Sequence, residues 1–123
     1  MRSLSFAALG LTGLLGCGGG ADDRPATLEY VTLTVLAPTC GRGGCHSSAT
    51  ARAGLAFDGI DATRATLRDE GELVVPGRPE RSELVEVLTD DGEEAMPPEG
   101  PLADGDIDLI VRWIEAGAPG LAP

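Results

Sequence analysis

The sequence has no lysine: its nine basic residues are all arginine, set against 20 acids, for a formal net charge of −11. That balance argues against a nucleic-acid binder and against adhesion to anionic surfaces, because both need clustered cations. The uniform use of arginine reads as the coding bias of a GC-rich genome and not as phosphate recognition. Aromatic residues are nearly as scarce, with one Trp, one Tyr and two Phe. Phe6 belongs to the N-terminal segment discussed next, so Tyr30, Phe57 and Trp113 are the large rings left for a core. There is one histidine, His46, and one methionine besides the initiator, Met96. With no second histidine as a general base, no Ser/His/Asp set and no phosphate loop, the chain is not expected to be an enzyme. No apolar run is long enough to span a bilayer as a stable helix.

The N-terminus reads as a processing segment. Arg2 supplies a short positive region and Leu4 to Leu15 an apolar stretch, giving a signal peptide over 1–16. Leu14-Leu15-Gly16-Cys17 resembles the bacterial lipobox, with Cys17 expected to be lipidated as the first mature residue. Of the three cysteines, lipidation uses one and leaves Cys40 and Cys45 to act together. Several acyl chains, each contributing about 0.8 kcal/mol per buried methylene, would anchor the protein stably. Residues 17–26, with Gly18, Gly19 and Gly20, read as a flexible tether. The expected location is a periplasm-facing or cell-surface lipoprotein, at the outer membrane. Cleavage leaves 107 residues with a formal charge of −12, enough for one small domain.

What the chain does have is Cys40-Gly41-Arg42-Gly43-Gly44-Cys45-His46, with Met96-Pro97-Pro98 fifty residues after the histidine. A pair of thiols followed at once by histidine is how c-type haem is attached: the thiols add to the vinyl groups and the imidazole reaches the iron. A low-spin haem iron takes two axial ligands, and His/Met is a usual electron-transfer pair. The chain offers one of each. The spacing is unusual, with four residues between the cysteines where two are common. On a helix, positions five apart diverge, so the chain must loop between the thiols. Gly41, Gly43 and Gly44 make a loop available through left-handed backbone. A Cys40–Cys45 disulfide beside a surface histidine is the alternative, worth roughly 2 kcal/mol in the chain-entropy model. A zinc or iron–sulfur site stays open too, although three ligands in one loop lack a matching fourth.

The remaining pattern is all-α: three to four short helices joined by long loops, in a domain over 27–118 with a C-terminal tail at 119–123. Thr27 to Ala37 is ambiguous, since Val31, Leu33 and Val35 alternate like a strand while Leu28, Val31 and Val35 share a helical face. Pro38 is expected to end that element. Asp61 is expected to cap a helix to about Glu70, and Pro79-Glu80 to open one running to Leu88. The last helix carries a core stripe of Ile107, Ile110, Val111 and Ile114, with Asp104 or Asp106 as N-cap and Gly117 as its stop. Loops this long in a small domain point to function, and wrapping a flat cofactor is one such task. Trp113 reads as core, or alternatively as a residue at a haem edge with its N–H toward a propionate.

From about Tyr30 to Ala118 the chain resembles the Planctomycete-type cytochrome c domain, a variant of the class I cytochrome c fold. The resemblance rests on an ordered series: Val35-Leu36, the cysteine–histidine motif, Gly54-Leu55 and Asp58, Val75-Pro76-Gly77, Pro79-Glu80, Ser82-Glu83-Leu84, Met96-Pro97-Pro98 and Leu102, then Ile107, Ile110, Trp113-Ile114 and Gly117-Ala118. It implies one covalent haem c, thioether attachment at Cys40 and Cys45, and axial ligation by His46 and Met96. Two positions depart from the family pattern: the spacing between the cysteines, and Ser47 where glycine usually follows the histidine. The function expected is electron transfer with an unidentified redox partner protein. The other reading is a haem-free, disulfide-stapled binding module. A peroxidase would need a displaceable sixth ligand.

Overall fold

The computed structural model describes residues 21–123. The expected signal peptide and the Cys17 lipidation site lie outside the described residues. Helix α1 (28–39) resolves the ambiguous segment. Thr27 caps it from extended backbone, its Oγ1 accepting the Tyr30 N–H at 3.2 Å. Over Thr32–Leu36 the helix widens into π-type turns, and the Ala37 N–H reaches the Thr32 carbonyl. This stretch lies just before Pro38, which lacks an N–H and whose ring would press on the Thr34 carbonyl in a regular helix. The widening accommodates Pro38, so the helix runs on to Thr39 instead of ending at Ala37. Leu28, Val31, Thr32, Val35 and Leu36 are buried, while Leu33 is 60% exposed.

Three further helices complete the architecture: α2 (Ile60–Asp69), α3 (Glu83–Thr89) and α4 (Asp104–Glu115). The described residues contain no strand, so the domain is all-α with four helices. Helix α1 packs on α2 and α4, and α3 packs on α4. The buried stripe of α4 is Leu109, Ile110, Trp113 and Ile114. It is rotated from the expected one, leaving Ile107 and Val111 only half-buried. Trp113 is core: its indole N–H donates to the Pro119 carbonyl at 3.1 Å, and Leu28 N–H donates to the same oxygen at 3.0 Å. Residues 119–123 therefore close the core instead of trailing from it, with Leu121 buried and its carbonyl accepting from Arg68 at 2.8 Å.

The helix ends show where charge and capping chemistry diverge. Asp61, Asp104 and Asp106 sit in first turns and not at N-caps, which are Gly59 and Ala103. Carboxylates there still favour the positive end of the helix dipole. Asp61 also pairs with Arg64 at 2.9 Å, and Asp106 with Arg24 at 2.7 Å. Pro79–Arg81 forms a separate tight turn before α3. Gly117, at φ +90°, stops α4 as expected: Ala118 N–H reaches the Trp113 carbonyl and Gly117 N–H that of Ile114, both at 2.9 Å. At the start of the described chain, Asp22 pairs with Arg112 at 3.1 Å, which ties the end of the expected tether to α4.

Candidate cofactor site

A cavity of about 340 Å³ opens between the α1–α2 loop, α3 and the loop that follows α3. Its walls are mostly apolar, as in most small-molecule sites. Cys40, Cys45, His46, Leu55 and Phe57 come from the first loop; Leu84, Val87 and Leu88 from α3; Met96, Pro97 and Pro98 from the third segment. The structure thus brings all four sequence-selected residues of the domain, Cys40, Cys45, His46 and Met96, to one cavity. Both thiols are unpaired. Among the described residues, no three His, Cys, Asp or Glu side chains converge as a metal-holding group, so the zinc reading of the thiol loop has no geometric support.

The loop between the thiols is held by its own backbone. Cys45 N–H donates to the Arg42 carbonyl and His46 N–H to the Cys40 carbonyl, both at 2.9 Å. The three glycines serve differently from the expectation, because none of them has positive φ. Gly41 is needed for close approach: a Cβ there would lie 2.7 Å from the Phe57 carbonyl carbon and 2.8 Å from Asp58 Cα. Gly43 and Gly44 face open space. Gly41→Ala should destabilise the domain by about 1–3 kcal/mol, as for an overpacked core. Gly43→Ala and Gly44→Ala should stay within about 0.5 kcal/mol of the parent. Denaturant midpoints of the three variants check this, and equal midpoints would remove the close-packing argument. Ser47 is buried, and its Oγ accepts the Thr50 N–H at 3.3 Å. The Thr50 hydroxyl in turn donates to the Gly43 carbonyl. Asp58 closes the loop from the far side, accepting the Ser48 N–H at 2.9 Å and the Ser48 hydroxyl at 2.7 Å. Those bonds hold its carboxyl below the usual carboxylate range.

The His46 ring is fixed on two sides. Its Nδ1 lies 2.9 Å from the Arg52 carbonyl oxygen, which can only accept, so Nδ1 carries a proton and Nε2 is the nitrogen that bears the lone pair in the neutral imidazole. Phe57 meets the ring edge-on, with centroids 5.7 Å apart and planes at 72°. A backbone carbonyl on the outer nitrogen is the common way a protein orients a ligating imidazole. Sequence reasoning missed Arg52. Its carbonyl is presented by a turn with Ala51 and Ala53 in left-handed backbone, at φ 42° and 54°. Each costs about 1–2 kcal/mol for a residue with a side chain. Arg52 N–H to the Cys45 carbonyl at 3.3 Å and Ala51 N–H to the Ser47 carbonyl at 2.7 Å tie that turn to the thiol loop.

Met96 is half-buried, and its N–H donates to the Val87 carbonyl at 2.8 Å, which ties the loop to α3. Burial pushes the Cys40 thiol above its ordinary range, so Cys40 stays protonated at neutral pH. A soft thioether, an imidazole with a free Nε2, two thiols and apolar walls form a donor set suited to a flat apolar tetrapyrrole with an axially ligated iron.

Four short helices around such a cavity define a cytochrome c-like module. Residues 43–100 match the family model described as Planctomycete cytochrome C. The match includes Cys45, His46 and Met96 and begins after Cys40. No curated protein and no solved structure matches the chain.

Proposed function

We propose that the protein is a one-haem electron-transfer module, anchored by lipid at Cys17 and facing the periplasm from the outer membrane. The observation that carries this reading is the meeting of Cys40, Cys45, His46 and Met96 at one apolar cavity. When bound, haem c supplies an iron that cycles between two oxidation states. The thiols of Cys40 and Cys45 would attach the haem covalently, His46 Nε2 and Met96 Sδ would ligate its iron, and the Arg52 carbonyl holds the proton on His46 Nδ1 so that Nε2 is the nitrogen left to ligate. With His46 and Met96 both ligating, the module would pass electrons to a redox partner instead of turning over a substrate. Leu84, Val87, Leu88 and Phe57 line the cavity and would keep water from a bound haem, which favours a higher reduction potential.

A pyridine haemochrome spectrum and an intact mass of protein matured in a periplasm test the reading. One haem added to the polypeptide mass supports it, and a protein with no Soret band refutes it. The anchor has its own test: Cys17→Ser should shift the protein from the membrane pellet to the soluble periplasm or leave it unprocessed. A parent protein that is already soluble and carries no acyl mass would remove the lipoprotein claim. No helix of the described residues is long and apolar enough to cross a membrane.

A further inference from the structure

The four-residue spacer between the cysteines carries one charged side chain, Arg42. Its guanidinium meets the Glu99 carboxylate at 3.0 Å, across 57 positions of sequence. Glu99 lies three residues beyond Met96, so this ion pair joins the thiol loop directly to the methionine loop. A second hollow, of about 310 Å³, lies between the same two loops, with Arg42, Pro97 and Glu99 among its walls.

Charge explains why a tie is needed there. Residues 90–99 hold Asp90, Asp91, Glu93, Glu94 and Glu99 and no base. Like charges packed this densely repel one another and favour an open loop. Among the described residues, Arg42 is the only arginine paired with that loop. The base of the arm is firm. Gly41 is packed against the Phe57–Asp58 backbone, Arg42 C=O accepts from Cys45 N–H, and the Gly43 carbonyl is held by Thr50. An exposed pair usually loses much of its value to the ordering of two long side chains, and a fixed base lessens that loss. Gly43 and Gly44 make the turn from Arg42 to Cys45, closed by the Cys45 N–H on the Arg42 carbonyl.

We propose that Arg42 is a positioning residue: from the extended inter-cysteine turn it holds the Met96 loop over the cavity through Glu99. The longer spacer is then a working part of the site and not a tolerated irregularity. The consequence for iron rests on the reading of Met96 as an axial ligand; the tie between the loops does not.

The test uses the full mature chain with Arg42→Glu, Glu99→Arg, and both together. Hydrogen exchange of the Met96 amide, bonded to Val87, reports opening of the loop without reference to haem. Each single variant should speed that exchange about two- to five-fold, the range expected of a well-placed exposed pair. The double variant, with the charges swapped, should return close to the parent rate. Salt near 1 M, where the screening length is only about 3 Å, should shrink the difference between parent and single variants. Arg81→Glu, which makes the same charge change elsewhere, should leave the rate alone. In haem-loaded protein, binding of added cyanide to the iron should follow the same order. Single variants that exchange like the parent, or a swap that restores nothing, would overturn the tie. Should the exchange pattern appear in protein that never takes up haem, the tie stands and the electron-transfer reading falls. Should haem and Met96 ligation be present while exchange and cyanide binding ignore the swap, the tie alone falls.

Discussion

Replacing both Cys40 and Cys45 by serine should yield a protein whose denatured form has lost all haem absorbance and whose mass is that of the polypeptide alone. Thioether bonds survive denaturation, whereas the ligation proposed for His46 and Met96 would not. The double variant therefore separates covalent from coordinate attachment in one measurement. The single variants are the sharper probe of the unusual spacing. Cys45 adjoins His46 inside the family-matched segment, while Cys40 lies before it at the end of α1. Each single variant should keep one thioether, and with it the added mass, with the haemochrome band displaced toward that of a haem retaining one vinyl group. A haemochrome band in Cys40→Ser that is unshifted from the parent's would show that Cys40 takes no part. The disulfide alternative has a separate signature in the unsubstituted chain: a mass two protons below the reduced polypeptide and no Soret band.

The meeting of the candidate residues at one cavity was legible because this chain places its rare residues together. His46 and Met96 have no competitors among the residues, and their convergence needed no fold prediction to be suspected. The parts that were not legible are those made by backbone. Ala51 and Ala53 carry no mark of left-handed geometry, since glycine or asparagine would be the usual signal, so the carbonyl of Arg52 could not be foreseen over His46. The reason for Gly41 was misread for a related cause. Left-handed turns and close backbone approach both select glycine, and only coordinates tell them apart. Helix α1 was ambiguous because the strand-like alternation groups Leu33 with Val31 and Val35, whereas in the fold Thr32 is fully buried and Leu33 is the exposed residue. Wider turns from Thr32 to Leu36 shift the period away from 3.6, and a regular template then fits poorly. The expected N-caps failed on degenerate chemistry. Aspartate suits both the N-cap and the first turn, so its presence marks a helix start only to within a few residues.

Met96→Ala should leave the covalent haem in place and lower the reduction potential. A thioether is a soft, weak ligand that favours ferrous over ferric iron, so its removal shifts the balance toward the oxidised form. A fall on the order of 0.1–0.2 V fits well within the roughly 0.8 V that axial ligands span. The loop should survive the change. Met96 is held by its backbone, through the N–H donated to Val87 at 2.8 Å, and that bond does not depend on the side chain. Pro97 and Pro98 restrict the backbone on its other side in folded and unfolded chain alike. Truncating a half-buried methionine should therefore cost little stability beside its effect on the iron. The oxidised variant should lose the weak near-infrared sulfur-to-iron charge-transfer band and bind added cyanide or imidazole far faster than the parent. Arg42→Glu should behave differently, keeping the band and the potential while modestly speeding cyanide binding, because it loosens the ligand's loop without removing the ligand. An unaltered potential and spectrum in Met96→Ala would show that the methionine is a packing residue. The iron would then be open or held by another group, and small-molecule binding or peroxide chemistry would become the better account of the cavity.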